Sequence, residues 1–327
     1  MKKINLGIVG VSGVVGSKIL EVLEEYGLLF NNVRFFASSK NKGKIVKFQN
    51  KEIEIEELNE DSFKGLDIVL FATPNEISSK YCLIAEKEGA IVIDNSSAFR
   101  LDKDIPLIVP SINMDSFYSS KRRIIANPNC STIQSVIVLN EINKANKINR
   151  IIYTTYQSIS GAGKKAMDDY LFDKNEYFNL NIKKTCIPLI GDLLDNNYSS
   201  EELKMINETK KIFNDDSLKI HATCIRVPVL YCHGVSIYIE CENKVNLEEI
   251  KKQLAMSQNI VIIDDNQLNL YPSSLIAKDN DLVFVGRIRN DLDNKYALSL
   301  YCVSDNLRIG AASNVCMILR NLILKDL

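Results

Sequence analysis

Near its start the chain reads GIVGVSGVVGSK (7–18), and no other stretch limits its fold as closely. An apolar run, INLGIV (4–9), leads in. SKILEVLEEY (17–26) leads out, with Ile19, Val22, Leu23 and Tyr26 at helical spacing. Glycines at 7, 10, 13 and 16 let the backbone turn between strand and helix. In that setting backbone N–H groups and the helix N-terminus can face a pyrophosphate. The spacing G-x-x-G-x-x-G is one residue longer than the common dinucleotide fingerprint, and no Gly-Lys-Ser/Thr closes it, so it is not a P-loop. A tight turn that binds nothing would read the same way.

The segments that follow extend the pattern. VRFFAS (33–38), IEIEEL (53–58), LDIVLFAT (66–73), AIVIDNS (90–96), PLIVP (106–110) and RRIIAN (122–127) read as strands, and SSKYCLIAEKEG (78–89) as a helix. Continuous apolar runs such as LDIVLFAT are typical of parallel strands buried on both faces. Strands alternating with helices over roughly 125 residues predict an α/β, doubly wound, Rossmann-like sheet. After Cys130 the texture changes. STIQSVIVLNEI (131–142) reads as a helix, then RIIYTTYQSIS, IHATCIRVPVL, VSIYIEC and LVFVGRIRND as longer, partly alternating strands. They predict a mixed or antiparallel sheet in a second, α+β domain, with a helix-rich insert at about 163–213. GAASNVCMILRNLIL (310–324) closes the chain as an amphipathic helix.

The end of the second strand bears on the ligand. An NAD site usually carries an acid there for the ribose 2′-hydroxyl. FFASSKNKGK offers Ser38, Ser39, Lys40 and Lys42 instead, groups suited to a 2′-phosphate, so NADP is the expected cofactor. The formal net charge of −1 argues against a broad nucleic-acid surface. No apolar run approaches the ~18 residues of a membrane span. MKKINLGIVG faintly mimics a signal peptide, but glycines interrupt its apolar part. A cytoplasmic location with reduced thiols is expected. None of the eight cysteines forms a CxxC pair and there are two histidines, so no metal site is expected.

A free thiol is mostly protonated at neutral pH, and a nucleophilic cysteine needs a helix N-terminus or a nearby cation. In IIANPNCSTIQ, Cys130 falls where a helix begins, after a turn fixed by Pro128 and flanked by Asn127 and Asn129. Cys82, Cys186, Cys224, Cys302 and Cys316 lie among apolar neighbours and read as core. A cysteine nucleophile usually has a histidine base. His221 opens an apolar run. His233 follows a proline-punctuated strand holding Arg226, at a strand end from which a side chain can reach a cleft, and is preferred.

A glycine turn followed by NPNCST, QSISGAG and RVPVLYCH resembles the aspartate-semialdehyde dehydrogenase family over nearly the whole chain. NSSAFR (95–100), EELKMINETKKI (201–212), FVGRIRND (284–291) and VSDNLRIGAASN (303–314) also resemble family segments. The resemblance implies Cys130 as nucleophile, His233 as acid/base, and Gln157 steadying the thioester and hemithioacetal. It implies Arg226 on the substrate's α-carboxylate, Glu201 on its α-ammonium, and Arg100, Lys204 and Asn129 on phosphate. Gly10, Ser12, Gly13, Val14 and Val15 would line the pyrophosphate. Ser38, Lys40 and Thr73 would meet the adenosine end, Asn314 the nicotinamide side, and Gly161 would also line the cofactor. Residues 1–129, completed by 312–327, would bind NADP, and 130–311 would form a catalytic and dimerisation domain in a homodimer.

The implied reaction reduces L-aspartyl 4-phosphate to L-aspartate 4-semialdehyde with release of phosphate, in biosynthesis of lysine, threonine, methionine and diaminopimelate. Three departures stand out. Cys232-His233-Gly234 replaces the family's usual Gly-His-Ser, Lys40 stands where an arginine is common, and Pro74 and Asn75 replace small residues. Two alternatives are an N-acetylglutamyl-phosphate-type reductase and a non-catalytic NADP-binding homologue. The implied Glu201 speaks against the first, and the joint presence of Cys130, Gln157, Arg226 and His233 against the second.

Overall fold

A computed structural model describes residues 4–325. The last two residues of the helix-bearing span 312–327 lie outside the described residues. The chain divides into two compact units, one comprising Met1–Pro128 and Ala311–Leu327, the other Asn129–Gly310.

The first unit opens with β1 (Asn5–Val9), α1 (Val14–Glu25), β2 (Asn32–Ala37) and the edge hairpin β3 (Ile45–Phe48) and β4 (Lys51–Glu57). β5 (Ile68–Phe71), α2 (Asn75–Lys87), β6 (Ile91–Asp94), the short helical turns α3 (Pro110–Asn113) and α4 (Asp115–Tyr118), and β7 (Ile124–Ala126) follow. The sheet order is β3-β4-β2-β1-β5-β6-β7, parallel except for β3. β1 sits between β2 and β5 because Leu6, Ile8 and Val9 are apolar on both faces and fully buried. One core joins Ile8, Ile19, Leu23, Phe35 and Ile93 to the C-terminal helix (Ser313–Lys325) through Val315, Ile318, Leu319 and Leu322. The run PLIVP is not a strand. Two prolines leave it a single bridge, Leu107 to Ala126. β3 had no sequence signal, since its KIVKF alternates too briefly between two lysines.

The second unit begins with α5 (Cys130–Ala145) and β8 (Ile148–Gln157), then α6 (Lys164–Phe172), α7 (Ser200–Phe213) and β9 (Lys219–Arg226). β10 (His233–Cys241), α8 (Leu247–Ala255), β11 (Ile260–Ile262), α9 (Ser274–Ala277), β12 (Val283–Asn290) and β13 (Ala297–Ser304) complete it. The six-stranded sheet runs β11-β12-β13-β10-β8-β9 and is mixed: β8 lies parallel to β9 and antiparallel to β10. Residues alternate along it. Ile151, Tyr153, Thr155 and Gln157 on β8, and Val235, Ile237 and Ile239 on β10, are buried. Their neighbours Ile152, Thr154, Ser236 and Tyr238 are half-buried and Tyr156 is exposed, so one face of the sheet is covered and the other largely open. The insert is less helical than its composition suggests, since 173–199 holds one 3₁₀ turn, Ile182–Lys184. Cys186 is exposed there, not core, whereas Cys82, Cys224, Cys302 and Cys316 are buried. Among the described residues no helix is long and apolar enough to cross a membrane.

Candidate active site

Strand pairing brings three polar side chains to one end of the second sheet. Gln157 and Arg226 end the parallel pair β8 and β9 and are partners in register. β10 runs back against β8 with Gly234 opposite Tyr156, so His233, its first residue, falls beside Gln157. His233 therefore follows β9, which ends at Arg226, and opens β10. All three are on the covered face and at most 5% exposed. Arg226 Nη1 donates to the Ser158 carbonyl at 2.5 Å.

Cys130 is the first residue of α5 and half-buried. Asn129 caps this helix: its Oδ1 accepts from the N–H groups of Ser131 (2.9 Å) and Thr132 (3.3 Å). The Asn129 backbone N–H donates to buried Glu208 at 2.6 Å. Gly310 lies against the cysteine, where an added Cβ would come 2.9 Å from the Cys130 Cβ. Cys130 is also close enough to Arg226 to act on its charge.

Glu201, on α7, ties the cluster together. Its Oε1 accepts from Asn129 Nδ2 (2.8 Å) and Gln157 Nε2 (3.3 Å), and its Oε2 meets Lys204 Nζ at 3.0 Å. Burial pushes its carboxyl up, but the Lys204 charge and these hydrogen bonds outweigh burial and hold it below the usual carboxylate range. The site thus contains a fixed carboxylate beside a buried guanidinium.

His233 is fully buried. Burial first, then the Arg226 charge, lower it to about 3, with Glu201 in part opposing. The ring rests neutral. Its Nδ1 faces the Ser158 backbone N–H at 3.0 Å, which fixes Nδ1 as acceptor and the proton on Nε2. Nε2 is buried with no hydrogen-bond partner among the described residues. Gly161 explains the space in front of it: a Cβ there would lie 3.0 Å from Nε2 and 3.2 Å from Arg226 Nη1. His221, by contrast, is exposed on β9, with Nδ1 3.2 Å from Tyr198 Oη.

In the first unit the glycine turn is close-packed. Gly10 has φ +87°, and a Cβ would fall 2.4 Å from the Ala72 carbonyl oxygen. One at Gly16 would fall 2.2 Å from the Gly10 oxygen, so α1 starts hard against the turn. Ser12 and Gly13 are exposed and Val14 half-buried at the start of α1, while Val15 packs its side chain on the core and leaves only its backbone for a ligand. Ser38 and Lys40 are exposed after β2, and Thr73, after β5, bonds Ser78 at 2.9 Å. Asn314 Nδ2 donates to Asn127 Oδ1 (2.7 Å) and to the Ile108 carbonyl (2.9 Å), while its buried Oδ1 has no hydrogen-bond partner among the described residues. A crowded anion turn and an orphaned amide oxygen fit a dinucleotide. Arg100 is buried in this unit, its Nη2 donating to the Asn95 carbonyl at 2.9 Å. Among the described residues no group of three metal-ligating side chains occurs.

Sequence reasoning passed over Ser158, Asn306 and Glu208. Each is buried within hydrogen-bond reach of His233, Cys130 or their supports. The signal available for Asn306 was the polar run Ser304-Asp305-Asn306 ending a strand, which reads as an ordinary loop.

A doubly wound sheet with a glycine turn, and a separate unit carrying a helix-start cysteine, a buried histidine, an arginine and a carboxylate, define the class of thiol-using, dinucleotide-linked dehydrogenases. The "semialdehyde dehydrogenase, NAD binding domain" model matches residues 5–120, and the "semialdehyde dehydrogenase, dimerisation domain" model matches 139–309. The chain belongs to the aspartate-semialdehyde dehydrogenase family. It is 40% identical to the Aquifex aeolicus aspartate-semialdehyde dehydrogenase, with 98% of each chain covered. It is 40% identical to the Campylobacter jejuni enzyme, over 97% of this chain and 96% of that one. The crystal structure of Vibrio cholerae aspartate semialdehyde dehydrogenase II complexed with ASA superposes with TM-score 0.94 at 37% identity, covering 100% of both chains.

Proposed function

We propose that this chain reduces L-aspartyl 4-phosphate to L-aspartate 4-semialdehyde and phosphate through a thioester on Cys130, using NADP. The observation that carries the reading is the shared sheet end, where His233, Arg226, Gln157 and Glu201 gather in the unit whose first helix begins at Cys130.

The roles follow from the groups. Thiolate at Cys130 is favoured by the helix N-terminus and by nearby Arg226. It attacks the acyl-phosphate carbonyl carbon, and phosphate departs with the electron pair of the broken C–O bond. The nicotinamide cofactor supplies the hydride that reduces the thioester carbonyl. At the acid/base position, His233 Nε2–H would donate a hydrogen bond to the resulting oxyanion; as that oxyanion re-forms the carbonyl, the carbon–sulfur bond breaks and the sulfur departs as thiolate. Arg226, a planar fork, suits the substrate's α-carboxylate, and Glu201, held ionised, its α-ammonium. Asn129 and Lys204 serve phosphate in this reading, as does Arg100, whose role rests on the family resemblance. In the first unit Gly10, Ser12, Gly13 and Val14 would cradle pyrophosphate, with the Val15 N–H, and Asn314 Oδ1 would meet the nicotinamide amide. Gly161 clears the space before His233. The absence of an acid after β2, with Ser38 and Lys40 there instead, favours NADP over NAD. The open face of the second sheet would pair two copies in a homodimer.

The test is the reverse reaction, followed by NADP reduction with aspartate semialdehyde and phosphate. Cys130→Ser should bind NADP normally and lose several orders of magnitude in rate. A variant keeping about a tenth of the wild-type rate or more removes Cys130 from the chemistry. Preference for N-acetylglutamate semialdehyde would assign the chain to the sister reductase.

A further inference from the structure

Helix α5 is buried on nearly every side from Ser131 to Ile142, yet it carries a glutamine, Gln134, at 0% exposure. A methionine would fill the same space with no polar group to desolvate, so a buried amide there has to be matched at both ends. Gln134 Nε2 donates to the His233 backbone carbonyl at 3.1 Å, and Gln134 Oε1 accepts from Ser304 Oγ. The carbonyl can only accept, which fixes the nitrogen of the amide toward it. Ser304, on β13, is the register partner of His233 on β10.

The spacing gives this bond its meaning. Gln134 follows Cys130 by four residues, so the two share one face of α5, about 6 Å apart along its axis. His233 depends on such ties because its strand begins abruptly: Cys232, just before it, has φ +71°. The Ser158 N–H holds the ring at Nδ1, and Asn306 Oδ1 holds the Cys232 N–H. Those two bonds locate the histidine against the ends of β8 and β13. The Gln134 bond locates it against the helix whose first residue is Cys130.

We propose that Gln134 is a positioning residue: by holding the His233 carbonyl to α5, one turn along from Cys130, it sets where His233 Nε2–H stands relative to the Cys130 sulfur. The two groups must meet at one carbon. Sulfur bonds to that carbon, and Nε2–H donates to the oxygen on it. An amide that fixes the separation of the two supporting backbones acts on the reacting geometry and leaves substrate binding alone. Gln134 itself exchanges no proton. The inference rests on the reading of His233 at the acid/base position.

The experiment is a double-mutant cycle with aspartate semialdehyde, phosphate and NADP, using Gln134→Met, His233→Asn and both together. Gln134→Met keeps the volume and removes the donor. Misplacing one reacting group by up to about 1 Å predicts kcat lower by roughly 10- to 100-fold, with KM values within about twofold. Because Gln134 acts through the histidine, adding Gln134→Met to His233→Asn should slow the enzyme by no more than about twofold further. Iodoacetamide should alkylate Cys130, followed by the mass of its peptide, within about threefold of the wild-type rate, since the helix N-terminus is unchanged. A Gln134→Met enzyme at full rate, losses that multiply in the double variant, or alkylation slowed as much as kcat each overturn the proposal. Should Gln134→Met fail to fold by circular dichroism, Gln134→Asn takes its place. It keeps the amide but withdraws it from the carbonyl by one methylene, and the same outcomes decide. His233→Asn alone separates the two ideas. If it is fully active, the reading of His233 fails. If it is slow while Gln134→Met is fast, only this inference fails.

Discussion

Cys232 has φ +71°, the left-handed region that costs a non-glycine residue about 1 kcal/mol. The glycine that the family resemblance leads one to expect before the histidine would adopt this conformation without strain. Here the side chain is 2% exposed among Ala277, Phe284 and Val303, and burying it is worth roughly as much as the strain costs. Burial also pushes its thiol up, so it is no rival nucleophile. The change at 234 has its own cause. A Cβ on Gly234 would fall 1.8 Å from Tyr301 Oη, so the tyrosine fills the space a serine would use. Cys232→Ala keeps the strain and loses the sulfur. It should destabilise the protein by about 1 kcal/mol while keeping most turnover. The urea midpoint and kcat check this, and a folded but inactive variant would give Cys232 a chemical role.

Strands and helices make the histidine's burial visible in solution. In the unfolded chain His233 titrates near 6.5, but between β8 and β10 it falls to about 3. Between those values the unfolded state binds the extra proton. The stability His233 confers is therefore complete above about pH 6.5 and declines as pH falls toward 3, by up to about 1.4 kcal/mol per pH unit. Glu201, depressed below its ordinary range, adds stability that is lost only below about pH 4.3. Urea unfolding at several pH values between about 7 and 5 should show wild type weakening relative to His233→Asn. A constant difference between the two would contradict the buried neutral ring. These elements also show what could be read in advance. The parallel strands and the helix at Cys130 announce themselves through apolar runs and, for the helix, a preceding turn fixed by Pro128. The β3 edge and β13 do not, because their alternation is short or masked by burial on both faces. Cys130 and His233 were legible as candidates, since Cys130 opens a helix, the chain has two histidines, and both residues stand at element ends. Ser158 and Asn306 were not: their meaning lies in contacts 148 residues apart along the chain.

The two units differ in how they treat their surfaces. Both faces of the first sheet's central strands are buried, whereas the second leaves one face with half-buried Ile152, Tyr238 and Tyr301 and exposed Tyr156. A broad, partly apolar face of this kind suits a partner copy. Tyr238→Arg would place a charge in the middle of it. Sedimentation should give two chains per particle for wild type and a shift toward one for the variant, and a wild-type monomer at micromolar concentration would remove the dimer.

The first unit's core is completed by residues 312–323, so the strands before Asn129 cannot close it until those later residues have been made. During synthesis, Ile8, Ile19 and Leu23 wait exposed while the whole Asn129–Gly310 unit is added. The Asn129–Gly310 unit can consolidate while the first sheet still lacks its covering helix, and during that interval the uncovered apolar side chains are open to proteolysis and to chaperones.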